Sequence, residues 1–272
     1  GWPYFTEHLV LATPDNGVAT AIYAACKATV KVGDGKEITL HEETNYPFEE
    51  AIAFTVSTDE KVAFPFYLRI PSWTQKAEVW VNGKKVSVTP VAGKYLCINR
   101  EWANGDRVEL TLPMSLSMRT WQVNKNSVSV DYGPLTLSLK IAEKYVEKDS
   151  RETAIGDSKW QKGADSKKWP TTEIYPDSPW NYSLVLDKKE PLKNFKVIRK
   201  SWPADNYPFT VASVPLEVKA IGRPVPEWKI DETGLCGVLP EEDAVKGDKE
   251  EITLIPMGAA RLRISAFPNT KE

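Results

Sequence analysis

The chain is 272 residues long, with 42% hydrophobic and 26% charged residues and a formal net charge of -2. That length holds enough core for one large or two ordinary domains, and the composition excludes wholesale disorder. The near-neutral balance speaks against a nucleic-acid partner, and no apolar run approaches the ~18 residues of a membrane span.

No basic-then-apolar leader is present, and the opening Gly1-Trp2-Pro3-Tyr4-Phe5 reads as the interior of a longer protein, with any export signal expected before it. Trp2, Tyr4, Phe5, Leu9, Val10 and Leu11 form an apolar cluster, expected to be disordered or to pack on a neighbour or on its own sandwich. Strand patterns follow at 18–24, 28–32, 37–42, 51–57 and 64–70. The run 79–88 predicts a hairpin: Val79, Val81, Val86 and Val88 alternate, and Asn82-Gly83 supplies the positive φ angles of a tight turn. Further strands are predicted at 95–99, 108–112, 128–132 and 135–141, with Asp34-Gly35 and Asn104-Gly105-Asp106 as turn chemistry. Helical periodicity is absent, and proline falls too often for long helices. The pattern predicts an all-β fold with two antiparallel, sandwich-like domains.

At Glu143 the character changes. Residues 143–180 are polar and carry Trp160, Trp169 and Trp180, which reads as a long excursion with little regular structure. Strand patterns return at 182–186, 195–199 and 215–220. After the polar run 241–250, two closing strands are predicted at 252–255 and 261–266, with Pro256-Met257-Gly258 turning between them.

Three motifs are family-specific. Arg69-Ile70-Pro71-Ser72-Trp73, Val81-Asn82-Gly83-Lys84 and the run Trp102 to Pro113 resemble the region after the catalytic barrel in the beta-L-arabinofuranosidase family of glycoside hydrolases. The resemblance is strongest over 1–23, 64–142 and 251–268. It implies a discontinuous first sandwich, 1–142 plus 251–268, interrupted by an inserted second β-domain, 143–250. It also implies that the chemistry lies upstream, in a helical barrel of the same polypeptide. Members of the family use a zinc-bound cysteine nucleophile with further cysteine and glutamate ligands and a separate acid/base glutamate. Those ligands include a Cys-Cys pair shortly before a segment resembling residues 1–23. No Cys-Cys occurs here, so no catalytic, substrate-binding or metal-ligating residue carries over, no cofactor is expected, and the chain is expected to be an inactive scaffold for that barrel.

A search for chemistry in the residues themselves agrees. Sugar hydrolysis usually needs two carboxyl groups flanking the scissile bond. Glu42-Glu43 and Glu49-Glu50 are the densest acidic spots of the first half, and their alternating surroundings predict solvated strand faces and turns. His8 and His41 belong to no metal-binding spacing. Cys26, Cys97 and Cys236 read as small packed hydrophobes, with one unidentified disulfide left open. Gly33-Asp34-Gly35-Lys36 has neither the spacing nor the helix of a phosphate loop and reads as a hairpin turn. Trp73 and Trp102 read as framework. Trp160, Trp169 and Trp180 either anchor loops or offer stacking platforms to sugar rings. Two other readings stand beside the scaffold: a carbohydrate-binding module with glycan as partner, and a cell-surface interaction domain with protein partners.

Overall fold

The computed structural model describes residues 1–150, 165, 167–241 and 247–272. The chain forms two compact units, residues 1–116 with 132–135, and 117–131 with 136–272.

In the first unit a short helix, α1 (Trp2–Thr6), precedes ten strands: β1 (Val10–Ala12), β2 (Val18–Thr20), β3 (Cys26–Val32), β4 (Lys36–Thr44), β5 (Ala51–Ser57), β6 (Val62–Arg69), β7 (Glu78–Val81), β8 (Lys84–Lys85), β9 (Tyr95–Trp102) and β10 (Arg107–Thr111). They form a four-stranded sheet, β1-β2-β6-β9, and a six-stranded sheet, β3-β4-β5-β10-β7-β8. Period-two alternation decides which side chains go inside. Ile52, Phe54 and Val56 of β5 and Val62, Phe64, Phe66 and Leu68 of β6 are buried, with outward neighbours between them. Both sheets contribute to one hydrophobic core. Phe54 meets Phe66 edge-on at 5.4 Å between ring centroids, and Trp102 packs on both Phe64 (5.7 Å) and Phe66 (5.9 Å). Each such ring contributes roughly 1.5–3 kcal/mol on burial.

The predicted hairpin forms, with Asn82 at φ 49° and Gly83 at φ 74°. Its second arm is shorter than the valine pattern implies: β8 ends at Lys85, Val86 still donates to the Val79 carbonyl, and Val88 is exposed where the chain bends away. The N-terminal segment packs partly on its own sandwich. Leu9 is buried and β1 pairs with β2, while Tyr4 stays exposed.

The second unit contains β11 (Leu116–Trp121), β12 (Ser127–Tyr132), β13 (Leu135–Leu139), β14 (Glu143–Lys148), β15 (Thr171–Pro176), β16 (Tyr182–Leu186), β17 (Lys196–Arg199), β18 (Leu216–Pro224), β19 (Glu250–Pro256) and β20 (Asn269–Lys271). Its eight-stranded sheet runs β11-β12-β13-β19-β18-β16-β20, with β17 also on β18, and β14–β15 form a separate ribbon. The polar excursion thus carries regular structure at both ends, because Thr171, Ile174 and Tyr175 favour an extended backbone and pair with Lys148, Tyr145 and Lys144. The pairings β2–β6 and β16–β20 are parallel, whereas pairs such as β4–β5, β6–β9 and β18–β19 are antiparallel.

The closing strand β19 lies between β13 and β18. It takes three paired positions from β13 and five from β18, so it joins residues before and after the polar excursion. In the compact units, residues 117–131 and 136–142 lie with β19 in the second unit. The strand predicted at 261–266 does not form. Ser138 Oγ instead donates to the Ile264 carbonyl (3.1 Å) and accepts the Ile264 N–H (3.0 Å), and Phe267 bridges Val128. Among the described residues, no helix is long and apolar enough to cross a membrane.

Candidate functional site

Of the acidic pairs, Glu42-Glu43 is the one the structure corrects. Ile38, Leu40 and Glu42 share the inward face of β4, so Glu42 is only 1% exposed, while Glu43 faces solvent. Glu42 Oε1 accepts the Ala24 N–H at 3.0 Å, and Cys26 Sγ lies 3.9 Å from Oε2. Burial pushes the Glu42 carboxyl up to about 8, so it is neutral at pH 7. The Cys26 thiol is pushed up to about 11 by burial and by Glu42, which keeps it a thiol rather than a reactive thiolate. Tyr23 donates to the Arg69 carbonyl at 2.6 Å and meets Tyr46 edge-on. A neutral carboxyl can serve as a general acid, but this one is sealed from any substrate.

The other candidates stand apart. Glu49 is exposed, whereas Glu50 accepts the Met114 N–H at 3.0 Å. His8 Nδ1 sits 2.6 Å from the Tyr4 carbonyl on the exposed N-terminal turn, and His41 is on the outer face of β4. Cys26, Cys97 and Cys236 are free, on β3, on β9 and on an exposed loop of the second unit. Among the described residues, no group of three or more His, Cys, Asp or Glu side chains is arranged to hold a metal ion. These residues do not fit a zinc–thiolate centre. Gly33 (φ 54°) and Gly35 (φ 85°) make the tight β3–β4 turn predicted from sequence.

Trp160 lies outside the described residues. Trp169 is 72% exposed, and Trp180 packs against Trp228 (5.2 Å, 63°), whose Nε1 donates to the Gly237 carbonyl. Trp180 also lines a groove of about 300 Å³ with Tyr175, Leu235 and Arg261. Trp102 is fully buried and donates to the Phe64 carbonyl at 3.0 Å, the framework role read from its motif.

A charge cluster that sequence reasoning missed lies in the second unit. Glu217 is nearly buried and receives Lys140 Nζ at 2.6 Å and Lys200 Nζ at 2.5 Å. Burial pushes its carboxyl up, but the two lysine hydrogen bonds outweigh that and hold it below the usual carboxylate range. Glu217 falls between the buried Leu216 and Val218 of β18 and so lies on the opposite face of the strand, where no apolar pattern marks it. One carboxylate is shared by two ammonium groups, so the cluster holds its carboxylate as a structural ion pair does and keeps one positive charge over.

Comparison with known proteins places this geometry. Residues 17–114 match the model described as beta-L-arabinofuranosidase, GH127 middle domain. No curated protein matches the chain. A GH127 beta-L-arabinofuranosidase from Geobacillus stearothermophilus T6 shares the fold with a TM-score of 0.63 at 21% identity, over 98% of this chain and 35% of that one. A structure described as a glycoside hydrolase gives 0.61 at 22% identity, over 94% and 36%. A GH127 beta-arabinofuranosidase gives 0.60 at 22% identity, over 95% and 36%. The chain spans about a third of the length of these structures. All three sequence motifs fall inside the matched segment, and the resemblance read from them holds: this chain is similar to a β-rich part of the beta-L-arabinofuranosidase family, its first unit to the GH127 middle domain.

Proposed function

We propose that this chain is the non-catalytic β-region of a glycoside hydrolase related to the beta-L-arabinofuranosidases, bracing a catalytic barrel carried elsewhere in the same polypeptide. The observation that carries this reading is the span: 98% of the chain overlays on 35% of an arabinofuranosidase, within which the matched segment is a middle domain. Local chemistry supports it. The carboxyl with the clearest shift toward neutrality, Glu42, is enclosed by the core, and the cysteines are dispersed over two strands and a loop. A sandwich with an interlocked aromatic core is a stiff support and supplies no reacting group.

The test compares the chain alone with the longer polypeptide. Alone, it releases no arabinose from 4-nitrophenyl arabinofuranosides, with or without added zinc. Deleting it from the longer polypeptide lowers the melting temperature of the catalytic part and promotes self-association. Turnover by the isolated chain that disappears on substituting one of its carboxylates overturns the reading, as does a catalytic part indifferent to the deletion.

A further inference from the structure

The outer face of the six-stranded sheet carries a row of side chains in register. Glu43 of β4 pairs with Ala53 of β5, Ala53 with Glu109 of β10, and Glu109 with Trp80 of β7. Outward positions on a central strand are normally filled by β-branched or aromatic residues, and alanine is depleted there. On β5 two successive outward positions are Ala51 and Ala53; Ala53 is flanked by Glu43 of β4 and Glu109 of β10, and Ala51 by Thr111 of β10. The small residues make a floor, and the taller neighbours make walls. The resulting cleft encloses about 580 Å³, within the range of small-molecule sites. It crosses four adjacent strands, and three inter-strand spacings give a length of about 14 Å. That accommodates a short chain of rings better than a single one.

The walls are organised before any ligand arrives. Arg107 Nε bonds Glu109 Oε1 at 3.2 Å, and its Nη1 lies 3.7 Å from Glu43 Oε2. One guanidinium thus fixes two carboxylates while all three groups keep exposed edges, so planar donors and acceptors alternate along the cleft. Trp80 closes one end, with Lys85 Nζ 5.9 Å from its ring centroid steadying it from the neighbouring strand. The chemistry selects its occupant. The lining sets three carboxylates, Glu43, Glu49 and Glu109, against the guanidinium of Arg107, which repels a polyanion, and its ionised walls disfavour a purely apolar ligand. The alternating planar donors and acceptors beside an indole ring match an uncharged molecule dense in hydroxyls with an apolar C–H face, and a cation drawn by the excess of carboxylates is the competing outcome that the test includes.

We propose that this cleft is a binding site for a neutral oligosaccharide, with one sugar ring stacked on Trp80 and neighbouring hydroxyls bonded by Glu43, Arg107 and Glu109. The site is independent of the scaffold reading, because binding to the 272-residue chain is measured without any catalytic part.

Titrating the chain with arabino-, xylo- and cello-oligosaccharides by calorimetry and by ¹H–¹⁵N NMR tests it. Saturable binding is expected for at least one series, with shifts confined to the Trp80 indole N–H and the amides of β5 and β10. Trp80→Ala weakens that binding about tenfold or more. Ala53→Arg, which fills the floor without touching the core, does the same at unchanged melting temperature and decides the matter if Trp80→Ala fails to fold. No saturable binding to any series, shifts centred on the Trp180 groove instead, or affinity unaffected by Ala53→Arg overturns the proposal. Preferential binding of oligolysine, with the same β5 shifts, also overturns it.

Discussion

Glu42 Oε1 accepts the backbone N–H of Ala24 at 3.0 Å from within the wall of the first unit's core. The contact ties the start of β3 to the inward face of β4, and it does so with a carboxyl that is neutral in the folded state. Burial raises the Glu42 pKa from 4.5 to about 8. Its neighbours Cys26 and Tyr23 are also raised, chiefly by burial, and stay uncharged over the same range.

The sign of the pH dependence follows from linkage. Between pH 4.5 and about 8 the folded state holds a proton that the unfolded state has released. The stabilisation is complete below pH 4.5 and is lost as pH rises through about 8. Urea unfolding of the first unit is expected to lose on the order of a few kcal/mol across that window. Glu42→Gln keeps the shape and an acceptor for Ala24 N–H, so its stability should be flat where the parent declines. Parallel profiles for the two proteins would refute the assignment.

Trp102 joins the two strands of the four-stranded sheet that face the six-stranded sheet through Phe54. It is fully buried, donates to the Phe64 carbonyl and touches both Phe64 and Phe66. Trp102→Ala should cost about 3–5 kcal/mol, the cavity and transfer terms together. Trp102→Phe should cost less, with the Phe64 carbonyl left without its indole donor. Chemical denaturation of both variants compares the hydrogen bond, lost in each, with the volume, lost chiefly in Trp102→Ala, and equal losses would show that the volume contributes nothing beyond the indole N–H.

The first unit was largely legible because one side of each strand is apolar. Ile52, Phe54 and Val56 against Ala51, Ala53 and Thr55 announce the register of β5 directly, and Asn82-Gly83 announces its turn. What escaped was polar residues at inward positions and apolar patterns without a ladder. Glu42 looks like a surface acid until it is counted as the next inward step after Ile38 and Leu40. The β14–β15 ribbon hid because neither of its faces is strongly apolar, so period two leaves no trace in hydropathy. The sugar-sized cleft hid for the opposite reason: it is made by the smallness of Ala51 and Ala53, and a missing side chain leaves no motif.

Glu217 offers a second electrostatic test, of opposite sign to Glu42. Its carboxyl is held below the usual range by Lys140 and Lys200 despite burial, so its contribution is present above pH 4.5 and is lost as pH falls through the depressed value. Glu217→Ala leaves two ammonium groups facing each other without their shared partner and should destabilise the second unit by about 2 kcal/mol. Lys140→Met should cost less, since Lys200 still pairs with the carboxylate. If Lys140→Met proves the costlier change, the carboxylate is not the centre of the cluster.

Ser138 tests how the end of the chain is held. Its hydroxyl is fully buried, accepts the Ile264 N–H and donates to the Ile264 carbonyl, while Leu139 N–H also reaches that carbonyl. Ser138→Ala therefore leaves the carbonyl a partner but orphans the Ile264 N–H, a loss of about 1–3 kcal/mol. The damage should be local, because Phe267 still bridges Val128 and β20 still pairs with β16. Hydrogen exchange should accelerate at Leu262 to Ser265 and remain slow in β13 and β19. Equal acceleration along β19 would mean that the closing segment unfolds with the sheet and that a single hydroxyl does not govern its attachment.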